Sequence, residues 1–246
     1  IIFVLVCVLN SHNVSSQSYI PLLNDNKMKV QPVLTPETYA FPLSDVKLLD
    51  GPFHLAMERD VEYILQLDPD RLLHRFRLFA GLTPKAPIYA GWESETLSGH
   101  TLGHYLSACA MYYAATGDTR FKEKTDYVVE ELAICQQARK TGYVGSIPKE
   151  DSVWLDVSKG NIRSAGFDLN GLWSPWYTLH KVFSGLLDAY LHADNVKAKE
   201  VVVQFADWVD HITSGLNDEQ LQKMLACEFG GMNEALMNVY AITGNK

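Results

Sequence analysis

The stretch WESETLSGHTLGHYLSACAMYYAATGD, residues 92–118, decides the fold of this chain. It joins an acidic, aromatic loop to an apolar segment that contains two histidines, and residues 96–116 include no Asp, Glu, Lys or Arg. A helix without a charged face has to be buried inside a larger structure. Its histidines, serines and glycines make it too polar for the core of a bilayer. We therefore expect an inner helix of a multi-helix protein rather than a membrane span.

A repeated pattern extends this helix into a series of helical hairpins. The segments YAATGD, YLHADN and YAITGN each place a tyrosine five positions before Asp118, Asn195 and Asn245. After the first two, apolar residues recur at spacings of three and four, which indicates an amphipathic second helix. Such hairpins stack or close into a ring because none buries its apolar face alone, so the expected fold is all-α. The predicted buried stripes are Phe121, Thr125, Val128, Val129, Leu132 and Cys135, and Ala198, Val201, Val202, Phe205, Trp208 and Val209.

A segment rich in glycine and aromatic residues, residues 139–173, separates the first two hairpins. We expect it to be irregular but ordered, because loops of this length in a compact domain usually carry function. It leads into a helix with Ser174 as the predicted N-cap and Pro175 at the first helical position. His180 then lies in the first turns of that helix.

Composition and charge exclude several classes of partner. The chain has 246 residues, of which 47% are hydrophobic and 20% charged, with a formal net charge of −8 and a pI of about 5.4. An acidic surface without a Lys/Arg cluster repels nucleic acid and favours a neutral small substrate. The four cysteines, including Cys7, fit neither a disulfide scaffold nor a zinc ribbon. Cys109 and Cys135 fall on apolar helical faces and are expected to be packing residues, and packing is also the preferred interpretation for Cys227.

The N-terminal residues predict export. The apolar run IIFVLVCVL, followed by small polar residues, is typical of a signal-peptide core and too short to span a bilayer. We assign residues 1–17 to an incomplete signal peptide, 18–40 to a lead-in and 41–246 to the N-terminal part of a larger domain. The expected location is secreted or periplasmic, and the chain is expected to be a fragment.

His100 and His104 are the first candidate functional residues. Four positions apart on a helix, they share a face and could bind a metal with a third ligand. The metalloprotease pattern requires Glu after the first histidine, and Thr101 stands there instead. Two alternatives remain, namely satisfied core histidines or, preferred here, a polar ring in which they and His180 hydrogen-bond the hydroxyls of a ligand.

The loop before this helix holds the second set of candidates. Glu93 and Glu95 could supply the paired carboxylates of a glycosidase, although residues two apart usually point in different directions. One of them is equally expected to complement the dipole of the following helix. Trp92 and Trp176 lie near helix starts, where they could stack on sugar rings or simply pack in the core.

Three motifs together resemble a known family. WESETLSGHTLGHYLSA, WSPWYTLHKVFSGLLDAY and CEFGGMNEALMNVYAITGN, in that order, are similar to glycoside hydrolase families 127 and 146, the β-L-arabinofuranosidase-like group. The resemblance implies an (α/α)6 barrel catalytic domain followed by β-sandwich domains. It implies a secreted enzyme that retains configuration at non-reducing terminal β-L-arabinofuranosides of plant glycans. It also implies a cysteine nucleophile held by zinc, with further cysteine and glutamate ligands, and a separate glutamate acid/base.

The chain lacks the catalytic motifs that this resemblance implies. No Glu-x-Cys or Cys-Cys occurs before Lys246, so the resemblance covers the first half of the barrel, and neither a catalytic residue nor a metal ligand is assigned in this chain. Zinc is expected only in the complete family domain, and the isolated chain is expected to be inactive. The alternatives are a barrel glycosidase of other specificity, such as an unsaturated-uronide hydrolase, a non-catalytic carbohydrate-binding module, and a structural helical-repeat protein. The predicted substrate-binding residues are Trp92, Glu93, His100, His104, Trp176, His180 and Glu234.

Overall fold

The structure, a computed structural model, describes residues 26–31, 33–34, 37–228 and 230–246. The predicted signal peptide, residues 1–17, lies outside the described residues. Ten α-helices occur in the part described, together with two 3-10 helices at Leu43–Asp45 and Gly91–Ser94. The helices are α1 (Pro52–Gln66), α2 (Pro69–Leu72), α3 (His74–Phe79), α4 (His100–Thr116), α5 (Thr119–Arg139), α6 (Glu150–Ser158), α7 (Pro175–Ala193), α8 (Val196–Thr213), α9 (Asp218–Leu225) and α10 (Gly231–Thr243).

The predicted helical hairpins are present as α4–α5 and α7–α8. In each, a residue in the left-handed conformation ends the first helix, Gly117 after α4 and Asp194 after α7. The next residue caps the second helix. The Asp118 carboxylate accepts from the backbone N of Arg120 at 3.0 Å, and the Asn195 side chain accepts from that of Ala198 at 2.8 Å. The repeated Tyr-x4-Asp/Asn pattern therefore encodes a helix end, a tight turn and a helix start.

The outer helices bury the stripes that the sequence predicts. All six predicted residues of α5 and all six of α8 are buried. All of them except Thr125 belong to one hydrophobic core that the inner helices complete. The all-α fold class is confirmed, and within the described residues no helix is long and apolar enough to cross a membrane.

The inner helices α4 and α7 form the most extensive helix pair of the described chain. A Cβ on Gly103 would lie 2.1 Å from the carbonyl oxygen of Lys181, and a Cβ on Gly185 would lie 2.7 Å from that of Gly103. Two glycines thus let the two backbones touch. Since Gly103 meets Lys181 and the later Leu106 meets Gly185, the helices run parallel, with their N-termini at the same end. The third inner helix, α10, packs against α7.

The segment between the hairpins contains more regular structure than predicted. Residues 139–173 include α6 and a three-stranded antiparallel sheet of β1 (Ser164–Ala165), β2 (Asp168–Leu169) and β3 (Leu172–Trp173). In register, Ser164 pairs with Leu169 and Asp168 with Trp173. Helix α6 escapes sequence detection because its nine residues give only about two turns of apolar periodicity. The expectation of order is met, whereas that of irregularity is wrong for α6.

A buried ion pair fixes this segment against the first hairpin. Arg139 Nη1, at the end of α5, lies 3.1 Å from Glu150 Oε1, and both side chains are buried. Glu150 Oε2 accepts from the Tyr143 hydroxyl and, at 2.9 Å, from the backbone N of Ile147. Burial raises the pKa of Glu150 to about 7, against the opposing effects of Arg139 and Tyr143. The loop so held places Ser146, whose hydroxyl donates to the Ser98 carbonyl at 2.7 Å, beside the start of α4.

Candidate functional site

The N-terminus of α4 is closed by a buried carboxylate. Glu93 lies in the 3-10 helix Gly91–Ser94 and is 5% exposed. Its Oε2 accepts from the backbone N of Gly99 at 3.1 Å, and its Oε1 accepts from that of Thr101 at 3.3 Å. A helix start presents unpaired N–H groups and a positive dipole end, both of which favour this carboxylate. Of the two interpretations of this acidic loop, the structure shows the cap for Glu93, and Glu95 is exposed.

His100, the first residue of α4, is buried against that cap. Its Nδ1 lies 2.7 Å from the carbonyl oxygen of Leu97 and 3.5 Å from Glu93 Oε1. A carbonyl only accepts, so Nδ1 carries the proton and donates to it. In the neutral ring, Nε2 is then the acceptor. The local fold therefore sets the tautomer of this histidine.

Exposed aromatic side chains surround His100. The aromatic rim consists of Trp92, Trp173 and Tyr177, which are 58%, 42% and 39% exposed. Ring centroids of Trp92 and Tyr177 lie 5.7 and 6.1 Å from that of His100, and Trp92 meets Trp173 edge-on at 6.4 Å. Aromatic residues that remain exposed around a polar group are typical of sugar-binding surfaces, because the flat ring packs on the C–H face of a sugar while its edge stays hydrated.

His104 and His180 continue the polar lining and are held neutral. The exposed His104 ring meets His100 edge-on with a centroid distance of 6.2 Å. Partial loss of hydration, then the charges of Lys181 and His100, lower the pKa of His104. Burial first, then Lys181 and His104, lowers the pKa of His180 to about 4. His180 Nε2 lies 3.2 Å from the Ser184 hydroxyl. The three predicted histidines thus form one connected group.

A cavity of about 430 Å³ opens beside His180, between α7, α9 and the start of α10. Glycine shapes its wall, because a Cβ on Gly231 would lie 2.8 Å from His180 Cγ. Tyr177 contacts His100 and also lines the cavity, so the aromatic rim and the cavity form one continuous site. The lining residues are Phe167, Ser174, Trp176, Tyr177, His180, Val209, Thr213, Leu221, Gln222, Met224, Leu225, Glu228, Gly230, Gly231, Met232, Asn233 and Leu236.

Glu228 is a cavity residue that the sequence did not identify. Burial raises its pKa, while the backbone N–H groups of Tyr177 and Trp176 and the Ser174 hydroxyl counteract that rise. The carboxyl therefore stands at the start of α7. Ser174 occupies the predicted N-cap position before Pro175, but it adopts a left-handed conformation with φ 46° and its side chain makes no cap bond. The partner comes instead from the segment before α10, a long-range contact without a local signal in the sequence.

Comparison with known proteins identifies the family. Residues 45–246 match the catalytic domain of the GH127 β-L-arabinofuranosidases. The chain belongs to this family. The predicted resemblance to family 127 is thereby confirmed. No curated protein matches the chain.

Among solved structures, this GH127 domain resembles the crystal structure of a GH127 β-L-arabinofuranosidase from Geobacillus stearothermophilus T6. The TM-score is 0.53 and the sequence identity is 17%, a level that shows a shared fold. The similarity covers 78% of this chain and 28% of that chain. The GH127 domain described here therefore corresponds to less than a third of that protein.

Trp176 and Glu234 occupy different positions in this GH127 domain. Trp176 is buried, lines the cavity and packs on Trp154 with a centroid distance of 4.7 Å. Glu234 is exposed in the first turn of α10, next to the cavity residue Asn233. Six of the seven predicted residues belong to the continuous site, with Glu93 as the carboxylate that caps α4. Glu234 lies at the outer edge of the site.

The described residues do not fit the zinc centre that the family resemblance implies. Among them, no three His, Cys, Asp or Glu side chains gather in a way that could hold a metal ion. Cys109, Cys135 and Cys227 are buried free thiols, and burial raises the pKa of each to about 12. A metal-binding or nucleophilic cysteine has to be a thiolate, which these surroundings disfavour. The part of the chain described brings polar and aromatic side chains together without such a cluster of metal ligands.

Proposed function

We propose that this chain forms the substrate pocket of a glycosidase that retains configuration at non-reducing terminal β-L-arabinofuranosides of plant glycans. Membership of the GH127 family supports the reaction class. The observation that carries the proposal is the continuity of the site through Tyr177, which joins the aromatic rim at His100 to the cavity at His180. A sugar needs both a flat apolar surface and hydroxyl-binding groups, and this site offers them side by side.

Each predicted residue has a role in this pocket. Trp92 stacks on the sugar from the rim, and Glu93 holds His100 in place. His100, His104 and His180 bind hydroxyls through their ring nitrogens, which can accept or donate. Trp176 forms the cavity wall. Glu234 reaches the ligand from the edge, where a longer glycan leaves the cavity.

The charge of the pocket favours a neutral sugar. Within the described residues, the cavity lining includes one carboxyl group, Glu228, and no Lys or Arg. A uronate would have to bring its carboxylate next to Glu228, which costs free energy, and Lys181, the cation that acts on His180, is not part of the cavity lining. An unsaturated-uronide hydrolase, the alternative of the same barrel class, is disfavoured by this lining.

Catalysis belongs to the longer parent protein in this proposal. The zinc, the cysteine nucleophile and the glutamate acid/base are supplied by residues beyond the 246 of this chain. The isolated chain therefore binds the sugar without hydrolysing it. A secreted or periplasmic location accompanies the proposal, since plant polysaccharides are met outside the cell.

Binding of methyl β-L-arabinofuranoside to the 246-residue chain tests the proposal. Isothermal titration calorimetry is expected to show binding, and His180→Ala to weaken it about tenfold, the effect of losing one to two hydrogen bonds. Trp92→Ala is expected to weaken it by a similar factor. His211→Ala is the matched control, because His211 is exposed in the last turn of α8. Release of L-arabinose is followed in parallel and is expected to be undetectable.

The outcomes separate the alternatives. Failure of the chain to bind any arabinofuranoside contradicts the proposed pocket and leaves a structural helical repeat. Tighter binding of D-galacturonate than of the arabinofuranoside points to the uronide-hydrolase alternative. Hydrolysis by the isolated chain contradicts the placement of the catalytic groups outside it.

A further inference from the structure

Two polar groups in the cavity wall lack a partner. Glu228 Oε1 and Trp176 Nε1 are both buried, and neither has a hydrogen-bond partner among the described residues. Trp176 as a whole is 5% exposed, and both residues line the cavity. Buried polar groups in native proteins are nearly always paired, so an unpaired acceptor and an unpaired donor on one cavity indicate a missing partner.

The two groups are complementary to a hydroxyl. Glu228 faces the N-terminus of α7, where the backbone N–H groups of Trp176 and Tyr177 act on its carboxyl group. The carboxylate oxygen accepts, whereas the indole N–H only donates. A hydroxyl group does both, and adjacent hydroxyls of a sugar ring could satisfy the two residues together. Apolar side chains, Met224 and Leu225 among them, line the same cavity.

We propose that Glu228 and Trp176 form a hydroxyl-binding pair that selects the ligand, with Glu228 Oε1 accepting from one sugar hydroxyl and Trp176 Nε1 donating to one. The inference rests on the proposed function and deepens it, because it adds a residue, Glu228, and gives Trp176 a polar rather than a stacking role. The burial that raises the pKa of Glu228 agrees with it, since a poorly hydrated carboxyl group gains most from a hydroxyl partner.

Deoxy sugars test this pair. Methyl β-L-arabinofuranoside and its 2-, 3- and 5-deoxy derivatives are titrated into the wild-type chain, Glu228→Met and Trp176→Phe. In the wild type, removal of the hydroxyl that Glu228 binds is expected to weaken binding about tenfold, as for a hydrogen bond to a charged or buried partner. Glu228→Met binds the parent sugar about as weakly as the wild type binds that deoxy derivative, and no longer responds to the missing hydroxyl. Trp176→Phe behaves in the same way for its own hydroxyl.

A merely structural role gives a different result. It weakens all four sugars by the same factor and leaves their affinity ratios unchanged, which overturns the inference. Glu228→Gln is the rescue variant, because its amide group can still hydrogen-bond a hydroxyl, and it is expected to recover part of the lost affinity. Trp176→Phe removes the Nε1–H and leaves a smaller aromatic ring in the wall, so its response to the deoxy derivatives, rather than its overall affinity, decides the question if Glu228→Met does not fold. If the wild type binds no sugar, the proposed function and this inference both fail. If His180→Ala weakens binding but Glu228→Met and Trp176→Phe keep the affinity ratios of the wild type for the deoxy sugars, only the inference fails.

Discussion

A glutamate carboxyl group lies at the start of each of the two parallel inner helices, but the two groups differ in their hydrogen bonds. At α4, both oxygens of Glu93 accept backbone N–H groups. At α7, Glu228 stands in the corresponding place, but its Oε1 has no partner among the described residues. Both oxygens of the first carboxylate are satisfied by the fold, whereas the second belongs to a residue that lines a cavity and keeps one oxygen unpaired. One helix start is therefore built for stability and the other retains binding capacity.

The largest loss of stability is expected from a substitution that forces the two helices, α4 and α7, apart. Gly103→Ala introduces a Cβ that would lie 2.1 Å from the carbonyl oxygen of Lys181, so α4 and α7 have to move apart. We expect the free energy of unfolding to fall by about 3 kcal/mol or more, at the upper end of overpacking effects. Urea denaturation followed by far-UV circular dichroism measures it.

Gly215→Ala is the matched control for that substitution. A Cβ on Gly215 meets no heavy atom within 4 Å. Its expected effect is within about 0.5 kcal/mol, as for most surface substitutions. Equal losses at Gly103 and Gly215 would show that the close contact between α4 and α7 is not what the stability depends on.

Removing each carboxylate in turn compares how much the two contribute to stability. Glu93→Ala leaves one buried and one half-buried N–H group unpaired, and we expect it to cost about 2–3 kcal/mol of unfolding free energy. Glu228→Ala removes a carboxyl group that is only partly satisfied and costly to bury, so a smaller loss, about 1 kcal/mol, is expected. The same denaturation measurement compares the two. A loss at Glu228 as large as that at Glu93 contradicts the view that the fold saturates only the first carboxylate.

The difference between the two carboxylates also marks what the sequence can reveal. Glu93 caps a helix that begins a few residues later, so the local pattern of an acid before an apolar helix suffices to suggest it. Glu228 meets α7 across the fold, from the segment before α10. Nothing near Ser174 in the sequence signals that partner, and the local rule gave the N-cap position but not the carboxyl group on which the N–H groups of α7 act.

The same distinction applies to the helices. Long periodic stripes in α5 and α8, together with the caps Asp118 and Asn195, allowed both hairpins to be predicted, because these signals are local and repeated. Helix α6 was missed because its burial depends on contacts with α8 rather than on a long pattern of its own. The histidine group was predicted as a set, since His100 and His104 share a helix face and His180 lies in the first turns of the helix after the glycine-rich segment. Its continuity with the cavity depends on Tyr177, whose position follows from packing.

The smallest effect is expected in the pH dependence of stability. It arises from His180 in α7, whose pKa is affected by His104 in α4. Burial, Lys181 and His104 lower the pKa of His180 to about 4, below the usual value of about 6.5 for the unfolded chain. Between these values the unfolded chain binds the proton more readily, so His180 contributes stability that is complete above pH 6.5 and is lost as the pH falls toward 4. Because solvent still reaches the ring, we expect the loss to stay within about 1 kcal/mol. Unfolding free energies of the wild type and His180→Gln, measured from pH 7.5 to 4.5, give the contribution of His180 as their difference, which cancels the opposite titration of Glu228. A difference that stays flat over this range would mean that His180 is as well hydrated in the folded protein as in the unfolded chain, and would remove the support for a neutral imidazole in the pocket.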